Sequence, residues 1–489
     1  MLFNSPLYLF AFLPIAFFIY FALVKARLTV ASKTWLVLVS LFFYSYWKLV
    51  YLPLILTSML VNFAIGSGLS QQTTREVPSK IQTKHILILG VIFNLGLLGY
   101  FKYADFFVEN LNLALGVGIP LPNVILPLAI SFFTFQQVAY LVDSYRGKTL
   151  EYDFLNYALF VTFFPQLIAG PIVHHAEMMP QFASRRNLFK CARNIYLGLV
   201  IIGLGLFKKV VIADTFAVLA DTGFDQAETL NFIEAWVTSL AYTFQLYFDF
   251  SGYTDMAIGA ALLFNIRLPI NFNSPYKATD IQDFWRRWHM TLSRFLRDYL
   301  YIALGGNRNG SFRTYINLFA TFLIGGLWHG AGWMFVIWGA LHGLAVVVHR
   351  AWKEFGLKMP MLLGWLITFN FVNFAWVFFR AKDIESAAKV VRGMVGLGGV
   401  ELPSWLHYWR LEAMGVSYGS WLSELAGGWW VFPQLLAAFV LVLKFKNSST
   451  WLDLTEPGYR LLLVVGVLAG FAITMDFYSS TAVFLYFNF

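Results

Sequence analysis

The sequence predicts an all-α protein that crosses a membrane many times. Hydrophobic residues make up 59% of the 489 residues and charged residues only 12%, well below the share of about 25% that is usual in soluble domains. A soluble globule of this size has too little interior to bury so much apolar surface. The apolar residues form solid uncharged blocks rather than the alternating pattern of a membrane β-barrel, so helices are the expected spanning elements.

A spanning helix needs about 20 apolar residues, and uncharged blocks supply candidates along the whole chain. They cover 2–24, 35–47, 49–69, 86–101, 110–142, 154–173, 194–207, 235–248, 314–341, 360–379, 426–443, 461–475 and 477–489. We expect about 10 to 13 spanning or re-entrant segments, since blocks such as 35–47 and 194–207 are too short to cross unaided. The first block lacks a basic leader and a cleavage site, so it is a retained span. No linker or repeat divides the chain, which predicts one membrane domain over 1–489.

The basic residues predict the orientation of the chain. Lys and Arg number 35 against 26 Asp and Glu, a net charge of +9. Because cytoplasmic loops collect Lys and Arg, this excess indicates topology rather than a nucleic-acid partner. The loops 70–84, 144–150 and 185–193 are predicted to be cytoplasmic. Since two of these loops flank the block 154–173, that block is not expected to be a simple single crossing.

Two polar segments interrupt the apolar blocks. The segment 267–313 carries eight Lys or Arg against three Asp and is predicted to lie on the cytoplasmic face. Within it, 281–299 has the 3–4-residue apolar spacing of an amphipathic helix. That pattern fits a helix at the membrane interface, and it also suits a site for a phosphate-bearing substrate. The second segment, 381–424, is predicted to be a short helix and a loop on one membrane face.

His329 is the strongest candidate for a catalytic residue. It stands between glycines in the block 314–349, which contains no formally charged side chain. A polar residue within a span is a functional hypothesis by default, and neutral imidazole accepts a hydroxyl proton near pH 7. A histidine hydrogen-bonded between helices is the structural alternative. No Gly-x-Ser-x-Gly elbow supports a serine triad, and His342 and His349 have the placement of helix-face or interface residues.

The segment 245–255 contains two carboxylates, Asp249 and Asp255, within an apolar block. Charged groups inside a membrane helix are costly, so we expect them to form interhelical hydrogen bonds, with a proton relay as the alternative. Lys208 and Lys209 are predicted to extend to the membrane interface.

The sequence predicts no metal site. Cys191 is the single cysteine, which excludes an intramolecular disulfide and any multi-cysteine metal site. His174 and His175 are adjacent, and adjacent residues on a helix do not face one point.

Seven motifs then follow one another along the chain. They are QLIAGPI at 166–172, YFDFSGY at 247–253, NFNSPY at 271–276, DFWRRWH at 283–289, RDYLYI at 297–302, GGNR at 305–308 and GGLWHG at 325–330. In this order they resemble the membrane-bound O-acyltransferase (MBOAT) family, and within it the bacterial alginate O-acetyltransferase branch. Asp283 stands where many relatives have Glu, which alters no assigned role.

The resemblance implies a ring of tilted helices around a central tunnel, in the bacterial inner membrane. It implies that His329 is the catalytic residue and His289 the second polar residue of the site. Acetyl-CoA is then the cytoplasmic donor, used as a substrate rather than held as a cofactor. The implied acceptor is a periplasmic glycan such as alginate, cellulose or peptidoglycan, reached directly or through a partner acyltransferase of the SGNH type.

The physical pattern and the resemblance together predict a role for each site residue. His329 is the general base, and His289 orients the thioester or polarises its carbonyl. Arg286, Arg287 and Arg294 are candidates for contact with the phosphates of CoA, while Gln245, Asp249, Ser251 and Trp328 support the tunnel wall. The alternatives are a transporter or polymer-export channel that relays protons through the histidines, although no inverted repeat is found, and an inactive membrane scaffold.

Overall fold

The computed structural model describes residues 1–73, 80–149, 153–168, 170–425, 428–453, 458–478 and 485. These residues are predominantly helical, which confirms the predicted fold class. The segment 381–424 contains a short helix followed by two paired parallel strands, β1 (Val400–Pro403) and β2 (Val416–Gly419). Residues 74–79 of the predicted loop 70–84, and Ala169 of the first motif, lie outside the described residues. The single domain over 1–489 stays a prediction.

The described residues form twenty α-helices, which we number in chain order. They are α1 Leu13–Lys25, α2 Thr29–Ser45, α3 Leu52–Thr73, α4 Lys80–Leu98, α5 Ala104–Leu115, α6 Ile130–Tyr145, α7 Phe154–Thr162, α8 Phe164–Leu167, α9 His175–Phe182, α10 Ala192–Leu206, α11 Asp214–Asp221, α12 Phe232–Leu263, α13 Ile281–Arg287, α14 Met290–Phe295, α15 Gly310–His329, α16 Trp333–Glu354, α17 Met361–Arg380, α18 Ile384–Met394, α19 Val431–Lys444 and α20 Tyr459–Tyr478. Wider π-helical turns extend α1 at its start, join α4 to α5, join α10 to α11, and follow α11 and α14.

Seven helical stretches in the described part of the chain are long and apolar enough to cross a membrane. They are Tyr8–Lys25, Leu49–Ser70, Thr83–Leu115, Ala192–Gln226, Trp333–Glu354, Met361–Arg380 and Tyr459–Phe477. Thr29–Ser45 and Gly428–Lys444 are shorter apolar helices. The expectation that the block 194–207 is too short to cross is wrong, because helical turns continue through Lys208 and Lys209 to residue 226.

The 32-residue helix α12 lies at the centre of the fold, with nearly every side chain buried. It begins at a capping box in which Asn231 and Glu234 satisfy each other's backbone N–H groups. Glycines allow α10 to approach it closely: a Cβ on Gly198 would lie 2.7 Å from the carbonyl oxygen of Gly259. The helix therefore extends well past the uncharged block 235–248, through two carboxylates.

Both lysines after Phe207 neutralise those carboxylates, so the prediction that Lys208 and Lys209 extend to the interface is wrong. Lys208 Nζ lies 2.7 Å from Asp255, and Lys209 Nζ lies 3.1 Å from Asp249 and 2.5 Å from Asp214. A charge that is removed from water needs a partner of opposite sign, and the lysines of α10's π-helical extension supply it. The expected interhelical bonding of the two carboxylates is confirmed.

The block 154–173 departs from a single crossing, as expected. Helix α7 ends at Thr162, since the backbone of Phe163 leaves the helical region, and α8 adds only four residues before an extended stretch. The side chains of α8 are buried. These short pieces fill space inside the bundle without forming a span.

The predicted single helix over 281–299 is wrong, because the chain breaks between α13 and α14. The backbone N–H of Asn273 donates to the carbonyl oxygen of Arg287, and that of Met290 donates to the carbonyl oxygen of Asn271, both at 2.9 Å. These bonds to a neighbouring loop replace the helical bonds that a continuous helix would make. The apolar spacing alone does not reveal this competing partner.

Helices α15 and α16 form a close hairpin that depends on glycine. A Cβ on Gly326 would lie 2.3 Å from the carbonyl oxygen of Phe335 and 3.0 Å from the Cα of Gly339. We expect Gly326→Ala to destabilise the protein by about 1–3 kcal/mol, since added atoms in a packed contact force the helices apart. The measurement is the thermal unfolding midpoint of the purified protein in detergent.

The matched control is Gly466→Ala in α20, where a Cβ would meet nothing within 4 Å. Alanine there is expected to leave the midpoint unchanged or to raise it, because alanine favours the helix by about 1 kcal/mol over glycine. Equal midpoints for Gly326→Ala and the wild type would contradict the role of the close contact.

Candidate active site

His329 is the last residue of α15, and the chain turns extended at Gly330. Its side chain is 3% exposed. Three aromatic rings enclose the imidazole, with ring centroids at 4.9 Å for Trp328, 5.0 Å for Trp338 and 5.2 Å for Phe379. The glycines around His329 therefore permit both a close helix contact and a helix end, and they place a titratable group in an apolar enclosure.

His289 lies in the break between α13 and α14 and is fully buried. Its backbone is left-handed, with φ of 42°, a conformation that costs a non-glycine residue about 1–2 kcal/mol. The ring contacts Phe250 of α12 at 4.8 Å and Trp328 at 6.5 Å. The indole of Trp328 thus contacts both predicted site histidines, which are 40 positions apart in the sequence.

A cavity of about 1210 Å³ opens beside this site, between the basic segment 267–313 and helices α15 and α16. Its basic lining residues are Arg286, Arg294, Arg297, His349, Arg350 and Lys353. The last three come from the end of α16, and of these the sequence pattern singled out only His349, as a helix-face or interface residue. Their signal was a cluster of basic residues at the end of an apolar block. One acid, Glu354, also lines the cavity, so the pocket is cationic on balance and suits an anionic substrate.

The arginines of the cavity differ in how far acids already neutralise them. Arg294 forms two bonds to Glu177, at 2.6 and 3.0 Å. Arg297 donates to Asp298 at 2.7 Å, and these hydrogen bonds raise the pKa of Arg297 above its ordinary value. Arg286 is exposed and lines the cavity. Arg350 pairs with Glu354 at 3.0 Å, so Arg286 is the lining arginine best placed to receive a phosphate.

Arg287 does not line this cavity. Its guanidinium lies 2.9 Å from Asp283, one helical turn earlier, and donates at 3.4 Å to the carbonyl oxygen of Asn273. The role predicted for Arg287 stays a prediction, and the structure gives it a different environment from its neighbour Arg286.

Aromatic rings separate the cavity from His329. Trp285 and Phe322 line the cavity, and the ring of Trp285 lies 5.8 Å from that of Trp338, which in turn contacts His329. Trp285 Nε1 donates to His342 Nδ1 at 3.2 Å. His342 lies on the face of α16 that packs against Trp285 of α13 and Phe371 of α17, where it is fully buried. It is therefore a helix-face residue, the first of the two predicted placements.

A smaller cavity of about 280 Å³ lies on the other side of His329. It is lined by Lys102, Asp105, Gly330 and Phe335 among others. Along α15, the large cavity reaches Phe322 and the small cavity begins just after His329. His329 therefore lies between a cationic cavity and one of mixed charge along α15, and aromatic rings separate it from the larger one.

The residues predicted to support the tunnel wall are buried on or beside α12. Gln245, Asp249 and Ser251 are each at most 4% exposed. Asp249 pairs with Lys209 and accepts from the backbone N–H of Leu485 at 3.0 Å. It is Phe250 that contacts His289, whereas Trp328 contacts both site histidines. The supporting roles stay predictions.

The fold and the site define a many-helix membrane protein with a polar site buried in its apolar interior. The family model of the membrane-bound O-acyltransferases matches residues 31–387. The chain is therefore a member of the MBOAT family, and the resemblance found in its motifs is confirmed.

The chain is similar to named enzymes over most of its length. It is 50% identical to the peptidoglycan O-acetyltransferase of Helicobacter pylori, over 100% of this chain and 98% of the relative. It is 40% identical to the probable alginate O-acetylase AlgI of Pseudomonas aeruginosa, over 92% and 83% respectively. A teichoic acid D-alanyltransferase of Streptococcus thermophilus is 29% identical, over 52% of this chain and 68% of the relative. The protein is thus an acyltransferase rather than a transporter or an inactive scaffold.

Proposed function

We propose that this protein transfers acetyl groups from cytoplasmic acetyl-CoA to a hydroxyl acceptor of the cell envelope, from a site in the bacterial inner membrane. The observation that carries the proposal is the burial of His329 between a cationic cavity and a second cavity. A thioester donor is large and anionic, and the acceptor lies on the opposite side of the membrane. One imidazole serves both only where a path leads to it from each side.

Peptidoglycan is the first candidate acceptor, because the relative that is 50% identical over the whole chain is named for it. Alginate is the second, from the relatives that are about 40% identical. In both polymers the reacting group is a sugar hydroxyl. The same site chemistry serves a serine hydroxyl of an SGNH-type partner that carries the acetyl group onward.

The chemistry assigned to the site is direct transfer. His329 accepts the proton of the acceptor hydroxyl while the oxygen attacks the thioester carbonyl. The carbon–sulfur bond then breaks, and the imidazolium returns the proton to the CoA thiolate, which leaves as the thiol. His289 orients the thioester or polarises its carbonyl. The apolar rings around His329 keep water away from the reacting carbonyl.

The cationic cavity is assigned to the phosphates of CoA, with Arg286 and Arg294 as phosphate contacts. We expect Arg286→Ala to raise the KM for acetyl-CoA roughly tenfold, the effect of losing one charge-assisted hydrogen bond of about 1.4 kcal/mol. The kcat is expected to change little, because the phosphates are remote from the reacting carbonyl. Steady-state kinetics with acetyl-CoA provide the measurement.

Arg287→Ala is the matched comparison, since Arg287 is the adjacent arginine and lies outside the cavity lining. Of these two adjacent arginines only Arg286 lines the cavity, so only Arg286→Ala is expected to raise the KM. A comparable rise in the KM for both variants would favour the role predicted from the sequence for Arg287. An unchanged KM in Arg286→Ala would remove this cavity as the donor site.

The proposed function is tested with the purified full-length protein and radiolabelled acetyl-CoA. Peptidoglycan fragments, alginate oligomers and no acceptor form the three arms. Acetyl transfer to one acceptor, above the hydrolysis seen without acceptor, supports the proposal and identifies the polymer. Transfer only after addition of a purified SGNH-type protein identifies a relay. No turnover of acetyl-CoA in any arm contradicts the proposal.

A further inference from the structure

The end of helix α15 has unusual hydrogen-bond partners. The last carbonyl groups of a helix have no partner within the helix, and the interior of a membrane protein offers little water to satisfy them. Here Lys102 Nζ donates to the carbonyl oxygens of Trp328 at 2.5 Å and His329 at 3.1 Å. Tyr103 donates its hydroxyl to the carbonyl oxygen of Leu327 at 2.6 Å. Three successive carbonyls are thus held by two neighbouring side chains of another helix.

Lys102 reaches this position from a π-helical turn, Gly99–Tyr103, between α4 and α5. It lies within an apolar span, Thr83–Leu115, where a charged side chain is costly. The negative end of the α15 dipole offsets part of that cost. Ser131 accepts a third bond from Lys102 Nζ at 3.0 Å, so three acceptors surround the ammonium group.

The same ammonium group also lies against the site through Trp328. Lys102 Nζ is 5.9 Å from the centroid of the Trp328 ring, within the range of a cation–π contact. Trp328 is the indole that contacts both site histidines. Lys102 therefore contacts the backbone of His329 and the ring that touches both His329 and His289.

We infer that Lys102 is a positioning residue for His329, whose imidazole it places by holding the last turn of α15. This inference rests on the proposed function, in which His329 is the base. Without Lys102, the last turn of α15 loses two bonds and can fray, which moves the imidazole relative to the thioester. A displacement of about 1 Å in a catalytic group lowers a rate by up to about 10²-fold.

The first test is Lys102→Met in the full-length purified protein, which keeps a long apolar side chain and removes the charge. We expect kcat to fall about 10- to 100-fold, with the KM for acetyl-CoA unchanged because Lys102 is remote from the cationic cavity. Lys33→Met is the matched control: Lys33 is a partly buried lysine that donates to Asn156 at 2.7 Å on other helices. It is expected to keep the wild-type kcat.

A rescue experiment separates positioning from a general loss of structure. Lys102→Ala leaves room beside the 280 Å³ cavity, and propylammonium added to this variant is expected to restore part of kcat. The same amine is expected to leave His329→Ala inactive. The rate of amide hydrogen exchange in the peptide covering 320–332 is expected to rise in Lys102→Met and to match the wild type in Lys33→Met. This measurement does not require an active enzyme.

The outcomes are distinct. A wild-type kcat in Lys102→Met overturns the inference, and so does a change confined to the KM for the acceptor, which would make Lys102 a substrate contact. The inference is also overturned if no amine rescues Lys102→Ala and both Lys102 variants have lowered unfolding midpoints. Lys102 would then have a purely structural role. An inactive wild type contradicts the proposed function instead, and then a rise in exchange at 320–332 still tests the contact of Lys102 with α15.

Discussion

Replacing His329 by alanine is expected to lower the rate of acetyl transfer by about 10²–10⁴-fold, the usual contribution of a general base. The reason is the position of the imidazole between the two cavities, where it is the titratable side chain assigned to the acceptor proton. The measurement is turnover of radiolabelled acetyl-CoA by the purified variant. His329→Gln, which retains a hydrogen-bonding side chain without the basic ring, is expected to be equally impaired.

His407→Ala is the matched control for His329→Ala. His407 is largely exposed and pairs with Glu412 at 3.1 Å, in the segment that links β1 to β2. It is expected to keep the wild-type rate. The unfolding midpoint of His329→Ala must lie near that of the wild type for the comparison to hold. A folded His329→Ala with the wild-type rate would remove the catalytic assignment.

The largest expected effect on stability comes from Lys209→Met. Lys209 is 1% exposed and lies between Asp214, at 2.5 Å, and Asp249, at 3.1 Å. Breaking a buried ion pair by removing one partner costs about 3–5 kcal/mol, because a buried charge is left without compensation. Here two carboxylates lose their shared cation. We expect a large drop in the thermal unfolding midpoint, or failure to accumulate in the membrane.

Lys208→Met is the matched control, since Lys208 is the adjacent lysine with its own acid. Lys208 and Asp255 are 16% and 10% exposed and form one ion pair, and Asp255 also accepts a bond from Ser448 at 3.0 Å. Lys209 is 1% exposed and joins two carboxylates. The loss of stability is therefore expected to be smaller. The double variant Lys209→Met with Asp249→Asn is expected to recover part of the loss, which measures the coupling of the pair. Equal midpoints for Lys208→Met and Lys209→Met would contradict this account.

The composition and the solid apolar blocks together predicted the fold class, because the other stable spanning structure, a closed β-barrel, requires alternating apolar residues. His329 could be singled out from the sequence, since a polar residue inside an apolar block is costly and therefore informative. His289 lies in the basic segment 267–313 and was singled out through the family motifs. The basic segment 267–313 indicated the cationic cavity. Hydropathy could not separate Arg286 from Arg287, because adjacent residues of a helix face different directions and the surrounding helices decide which one meets the cavity.

The sequence by itself determined that this protein is a helical membrane protein of the MBOAT family, with an acyltransferase motif around His329. Those properties follow from the apolarity of local segments and from the order of the seven motifs along the chain. Only the tertiary structure decided that the chain breaks at His289, that Lys209 pairs with Asp249, and that Lys102 caps the helix of His329. The physical reason is that each of these depends on a hydrogen-bond or charge partner far away in the sequence. In an interior with little water, the partner rather than local propensity sets the conformation.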